Sequence, residues 1–235
     1  MSDVIPAPQQ ARVPVRGGGT FPVHRIYCVG RNYADHAREM GSEVATSKAE
    51  RGEPTLFAKP ADAIVTGNAD VPYPPGTNDL HHELELVVAL GADAPPGVLA
   101  AEDAAALIYG YAIGLDLTRR DLQNAARKAG QPWDTAKGFD HSAPISELVP
   151  AAQVADLMSL TVTLTVNGSV RQHAPLTDMI WDVPDILHEL SRLYALKAGD
   201  LVFMGTPAGV AALQPGDTFV GSLDGVAQVR GTIVA

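Results

Sequence analysis

Cysteine is almost missing from this sequence of 235 residues, where Cys28 stands alone. A single thiol excludes an internal disulfide framework and suits a reducing compartment, so a cytoplasmic location is expected. Its setting, Arg25-Ile-Tyr-Cys-Val-Gly30, reads as a buried strand, in which a free cysteine behaves as a small apolar residue. Cations are scarce too, with 17 Lys and Arg against 27 Asp and Glu and a formal net charge of −10. That balance argues against a nucleic-acid surface, which needs clustered Lys and Arg. An anionic substrate must therefore be drawn in by local cations or a metal ion. No stretch approaches the roughly 18 uninterrupted apolar residues of a membrane span. The opening Met-Ser-Asp lacks a basic region followed by an apolar core, so no secretory leader is expected.

What remains is globular in character: 46% hydrophobic and 19% charged residues, enough for one domain with a substantial core. Residues 1–24 carry Pro6, Pro8, Pro14 and Gly17-Gly18-Gly19 and read as an extended, loosely attached arm ahead of a single domain over 25–235. A strand over 25–29 leads into a helix over 33–40, with Asn32 as N-cap, Asp35 at the capping-box position and Gly41 as the stop. The polar, aperiodic residues 42–53 read as a mobile loop beside that helix.

Strand signals then dominate. Thr55–Lys59 is a short strand ended by Pro60, and residues 82–90 start in alternation and turn fully apolar, as a strand entering a core does. Residues 102–107 suggest a short helix, and a strand follows over 109–117. Thr118 is placed to cap a helix over 119–129 that ends at Gly130. Residues 160–166 and 169–172 flank Asn167-Gly168, the signature of a tight type I′ hairpin. Pro184 opens an amphipathic helix expected to turn Leu187, Leu190, Leu193 and Tyr194 inward, and Asp224-Gly225 marks a last hairpin. The lack of β-α-β alternation points to an α+β, strand-rich fold over a doubly wound sheet.

Glu83 and Glu85 lie two apart in a strand, so their side chains leave the same face. Side by side they repel, and a divalent cation removes the conflict. Oxygen-only ligands favour a hard ion, Mg²⁺ or Mn²⁺. The alternative is a solvated acidic face. Asp116 ends an apolar strand just before a helix, where sites assemble, although a capping role would also put an Asp there. With Asp116 added, the hard-metal reading is the better one. Arg120 and Gln123 are three apart and share a helix face, while Arg119 and Lys137 add nearby cations. His36 and Glu39 are also three apart, the spacing at which a carboxylate can orient an imidazole as a general base. His81 and His82 stand beside the acidic pair as candidate supports for its ligands.

Together these stretches resemble the fumarylacetoacetate hydrolase family, and closely its short acylpyruvate-hydrolase branch. The matching segments are Val29–Met40, Leu56–Pro60, Asp79–Leu86, Gly114–Gln123, Pro132–Lys137 and Gly205–Val210, in family order over roughly residues 25 to 233. The resemblance implies a mixed β-sandwich roll with short peripheral helices, a homodimer, and one Mg²⁺ or Mn²⁺ per chain held by Glu83, Glu85 and Asp116. It implies that His36 and Glu39, in a lid over about residues 33–53, activate water. Lys137 and Gln123 would stabilise the negative oxygen and position that water, and Arg31, Arg120 and Thr206 would face the substrate. The expected reaction is hydrolysis of a carbon–carbon bond in an acylpyruvate, with fumarylpyruvate from gentisate breakdown as the favoured substrate. Arg119 stands where the branch commonly has a small residue; it would either meet a second substrate carboxylate or face solvent. Decarboxylation of oxaloacetate or ketone–enol isomerisation of a 2-oxo acid is the alternative.

Overall fold

The computed structural model describes residues 3–41 and 48–235, and its organising element is the strand Leu84–Leu90, buried at every position. Both of its faces are covered, which explains the unbroken apolar run. Leu84, Leu86, Val88 and Leu90 belong to one core cluster, and Val87 and Ala89 to another. This strand lies inside a six-stranded mixed sheet with the order Val149–Pro150, Ile108–Leu115, Leu84–Leu90, Leu201–Phe203, Ile26–Gly30, Thr55–Lys59. A five-stranded sheet orders Ser169–Pro175, Thr161–Val166, Thr218–Leu223, Ala227–Val234 and Val71–Pro72. Val162, Leu164, Phe219 and Val229 from the second sheet share the first core cluster with Leu84 and Leu86, so the two sheets form a sandwich. The strand-rich α+β expectation holds, with short helices at the periphery.

Local chemistry explains several boundaries. Thr161–Val166 alternates half-buried threonines with buried Val and Leu, and its turn has positive φ at both Asn167 (51°) and Gly168 (77°). Gly225 (φ 69°) sits in the turn between Thr218–Leu223 and Ala227–Val234, as expected. Cys28 is a fully buried core thiol. Gly114 has no side chain because a Cβ there would meet the Phe203 ring at 2.8 Å.

Other expectations changed. Part of the N-terminal arm is core: Arg12–Pro14 pairs with Thr20–Pro22, and Val13, Phe21 and Val23 bury against the second cluster. Those three residues supply the apolar cover that this sheet face requires, while residues 3–10 are exposed. Helix α1 spans Ala34–Glu39 with Tyr33, not Asn32, at the cap position and no side-chain cap. The Asn32 amide is used on more distant backbone, and Asp35 pairs with Arg38. Helix α2 spans Arg120–Ala129 and stops at Gly130 (φ 66°), but Thr118 lies in a short strand and does not cap it. Residues 101–107 form a 3-10 helix. A four-residue helix α3, Asp134–Lys137, follows α2.

Helix α4 spans Val183–Leu193, capped by Asp182 with Pro184 in the first turn. Leu187 and Leu190 are buried as expected, whereas Leu193 (65% exposed) and Tyr194 (44%) are not, because the helix ends there and runs past the edge of the core. Residues 42–47 of the expected loop lie outside the described residues, and Lys48–Glu50 is a 3-10 turn. No helix among the described residues is long and apolar enough to cross a membrane.

Phe203 is fully buried, and its ring packs against Gly114, two strands away in the same sheet. Phe203→Ala should cost about 3–5 kcal/mol, read as a lower urea midpoint at unchanged slope; a shift well under 1 kcal/mol would refute this packing role.

Candidate active site

The site begins at the ends of two paired strands. Leu84 faces Leu115 and Glu85 faces Gly114 in register, and the Asp116 amide donates to the Glu83 carbonyl at 2.8 Å. That pairing carries Glu83, Glu85 and Asp116 to one place, with one ligand oxygen from each within 4.8 Å of the others. All three are buried, with exposures of 4%, 2% and 0%. The solvated-face reading of the acidic pair is thereby excluded, and so is the capping reading of Asp116, since Arg119 occupies the cap position of α2.

Cations gather around these anions. Lys137, delivered by α3, donates to Glu83 at 2.7 Å, Asp116 at 2.5 Å and the Thr118 hydroxyl at 2.7 Å. Arg120, in the first turn of α2, donates to both Glu83 and Gln123. Lys59 ends its strand with Nζ 2.8 Å from Asp116 Oδ1, too poorly aligned for a hydrogen bond, and gives its protons to the carbonyls of Leu117 and Lys137. Burial opposes the charge of Glu83, but Lys137 and Arg120 outweigh it and hold that carboxyl well below the usual range. Burial likewise works against the Lys137 ammonium, and Asp116 and Glu83 overcome it and raise its pKa.

Glu85 is the exception. Its carboxylate accepts a hydrogen bond from the Gly205 amide at 2.8 Å. Burial, then the charges of Asp116 and Glu83, push it well above the normal range. An all-oxygen donor set with one uncompensated carboxylate and one Asp116 oxygen lacking a hydrogen bond suits a hard divalent cation.

A narrow cavity opens over the carboxylates, lined among others by His36, Arg31, Arg120, Gln123, Lys137 and Thr206. His36 Nδ1 lies 3.1 Å from Glu39 Oε2, and the other Glu39 oxygen accepts from the Gly209 amide at 3.3 Å. Thr206 Oγ1 accepts from Gln172 Nε2 at 2.7 Å, so its own proton is free to point into the cavity. Arg31 holds a left-handed φ of 59°, an unfavourable conformation for a non-glycine residue and one that clusters at functional sites.

The structure thus brings together every expected site residue except one. Arg119 does not line this cavity. Its guanidinium lies 4.4 Å from the centre of the Phe139 ring and donates to the Thr135 carbonyl at 3.1 Å, in a separate groove with Pro74, Asp140 and His141. His81 pairs with Asp79, and His82 with Gln172, so neither hydrogen-bonds the carboxylates. Burial drives His82 down to about 4.

Four residues of the site escaped the sequence reading. Lys59 carried a signal, being a lysine inside an apolar strand that ends at a proline. Arg127 lines the cavity and follows Gln123 by four residues, on the same helix face. Thr118 was misplaced as a cap, and Gln172, which bridges His82, the Leu84 amide and Thr206, has no local signal.

Buried acidic ligands at strand ends under a His–Glu pair define a metal-site enzyme of the kind expected. The family model described as fumarylacetoacetate (FAA) hydrolase C-terminal matches residues 25–234, and the chain belongs to that family. Among solved structures, fumarylpyruvate hydrolase from Pseudomonas aeruginosa in complex with Mn²⁺ and pyruvate is similar with a TM-score of 0.92 and 41% identity, covering 99% of each chain. An oxaloacetate tautomerase of Escherichia coli (strain K12) is 42% identical over 206 residues, 87% of this chain and 90% of that protein. A fumarylpyruvate hydrolase of Ralstonia sp is 43% identical over 178 residues, 75% of this chain and 91% of that protein.

Asp116→Asn and Glu85→Gln should each weaken Mn²⁺ binding about 100-fold or more, measured by titration calorimetry with circular dichroism unchanged. Wild-type affinity in either variant would remove that residue from the ligand set.

Proposed function

We propose that this chain is a divalent-metal-dependent hydrolase of the carbon–carbon bond in a 2-oxo, β-dicarbonyl acid, with fumarylpyruvate as substrate and fumarate and pyruvate as products. The observation that carries this reading is the His36 imidazole, oriented by Glu39, which lines one cavity with the three buried carboxylates. The similarity to the Mn²⁺ and pyruvate complex of the P. aeruginosa enzyme supports it. Residues 25–235 act in this reading as one catalytic domain behind the arm of residues 1–24, as a homodimer in the cytoplasm.

Glu83, Glu85 and Asp116 hold the Mg²⁺ or Mn²⁺, which when bound supplies Lewis-acid polarisation of the 2-oxo acid unit. His36 donates Nδ1–H to Glu39 and uses Nε2 to take a proton from water. Gln123, its amide fixed by Arg120, positions that water. The water oxygen bonds to the distal carbonyl carbon. Collapse of the tetrahedral adduct then breaks the adjacent carbon–carbon bond, leaving the electron pair on the methylene carbon of the pyruvate enolate. A proton returned from His36 completes pyruvate. Lys137 stabilises the developing negative oxygen through its charge, its three protons being held by Glu83, Asp116 and Thr118, and Arg120 and Thr206 line the substrate's side of the cavity.

The second carboxylate of fumarylpyruvate is assigned to Arg31 and Arg127. Both line the cavity, and neither pairs with a carboxylate among the described residues, whereas Arg120 and Lys137 are committed to the anions below. The 42% identity to an oxaloacetate tautomerase favours a second reading, ketone–enol exchange at the same carboxylates. That reaction needs proton transfer without attack by water.

A panel of fumarylpyruvate, acetylpyruvate and oxaloacetate, assayed with Mg²⁺ or Mn²⁺ and after EDTA, separates the two. The hydrolase reading predicts metal-dependent cleavage of fumarylpyruvate and a loss of about 1,000-fold in kcat for His36→Ala. Exchange of oxaloacetate without cleavage of either acylpyruvate would establish the tautomerase instead. Arg127→Gln should raise KM for fumarylpyruvate about tenfold over that for acetylpyruvate, and Arg119→Ala should change neither. The reverse pattern would return the second carboxylate to Arg119.

A further inference from the structure

The stretches of chain on either side of α1 converge on one turn ahead of α4. Before the helix, Asn32 is fully buried and its amide nitrogen donates to the carbonyls of Trp181 at 2.9 Å and Met204 at 2.7 Å. Its side-chain oxygen accepts from the Trp181 amide at 2.7 Å, and its backbone carbonyl accepts from Ile180 at 2.8 Å. Tyr33 adds an isolated antiparallel bridge to Met179. After the helix, Arg51 lays its guanidinium 3.6 Å from the centre of the Trp181 ring. It also donates to the Ile180 carbonyl at 3.2 Å and to Asp185 at 2.7 Å. Lys48 reaches Asp182 and Asp185 at 3.1 and 3.0 Å.

Helix α1 has only six residues and no side-chain cap. A helix that short does not hold itself in place, so its orientation comes from its anchors. The seat beneath it is firm: α4 has 11 residues and buries Val183, Ile186, Leu187 and Leu190. The front anchor also reaches the metal ligands. Gly205 (φ 89°) comes so close to Asn32 that a Cβ on it would meet the Asn32 Cβ at 2.6 Å, and the Gly205 amide binds Glu85. One node therefore relates the His–Glu pair to the carboxylates.

We infer that Arg51 and Trp181, neither of which lines the cavity, are positioning residues for His36, acting through the stack of the Arg51 guanidinium on the Trp181 ring. The stack is largely buried, with the Arg51 side chain 13% exposed and Trp181 7% exposed, a setting in which cation–π contacts are strongest. Loosening it tilts the base away from its water without touching metal or substrate contacts. The inference rests on the reading of His36 as the base.

The test uses the full chain loaded with Mn²⁺ and fumarylpyruvate as substrate. Arg51→Met and Trp181→Leu should each lower kcat about tenfold or more, with KM and Mn²⁺ affinity unchanged. Trp181→Phe, which keeps an aromatic face, should retain most of the activity. The double variant Arg51→Met/Trp181→Leu should lose less than the product of the two single losses, because both changes break the stack. Wild-type kcat in both single variants overturns the inference. So do a rise in KM or a loss of metal affinity in step with the loss of kcat, a Trp181→Phe loss equal to that of Trp181→Leu, or additive losses. His36→Ala is assayed in parallel. If it hydrolyses at the wild-type rate, or if the wild type cleaves no acylpyruvate, the underlying reading of the site fails as well; if only the Arg51 and Trp181 variants miss expectation, the positioning role alone fails.

Discussion

Two strand ends bring three carboxylates together with almost no exposure to bulk water, and much of the surrounding structure answers the repulsion this creates. Taking even one ion out of water without compensation costs several kcal/mol, a large share of the roughly 5–15 kcal/mol that holds a domain together. Glu83 and Asp116 are met by Lys137 and Arg120, with Lys59 close to Asp116. Each cation comes from a different element: a strand end, the first turn of α2, and α3. The short helix α3 delivers Lys137, and at its start the Trp133 carbonyl accepts from the amides of Ala136 and Lys137. Glu85 alone has no such partner among the described residues, and its carboxylate, held only by the Gly205 amide, is the one left open to a hard cation.

Chemistry is divided between rigid and less rigid parts of the fold. The carboxylates sit where a sheet with both faces buried fixes their backbone, which suits groups that must hold a metal to within tenths of an ångström. The His36–Glu39 pair stands on a helix of six residues, whose placement depends on contacts made outside it. Hydrolysis and ketone–enol exchange would share the deep, rigid half of the site. They part at the base, the water and the cations along the cavity, and there small shifts in position carry large consequences for rate.

Much of the framework was legible because local chemistry and global packing agree in it. The Asn167-Gly168 hairpin, the buried strand before Leu90, the stop at Gly130 and the buried Cys28 all follow from rules that act over a few residues. The departures occur where tertiary partners outbid local ones. Asn32 has the chemistry of a helix cap, yet its amide is worth more satisfying buried carbonyls on Trp181 and Met204, groups that would otherwise have no partner. Thr118 gave up capping for Lys137, and the arm around Val13 and Phe21 packs into the core because a sheet face needed covering.

The available chemistry is written in the order of residues along the chain: the spacing of Glu83, Glu85 and Asp116, the three-residue step from His36 to Glu39, and the run of segments that marks the family. Those features are readable because strand and helix periodicity project them onto one face. Burial of the carboxylates was decided only by the tertiary structure, and it turned an acidic stripe into a metal site. So was the choice among the arginines, with Arg31, Arg120 and Arg127 in the cavity and Arg119 stacked on Phe139. Arg119 and Arg120 are neighbours in the chain, and the direction in which α2 leaves its strand sends them to different places. That direction is a property of packing, which no local pattern encodes.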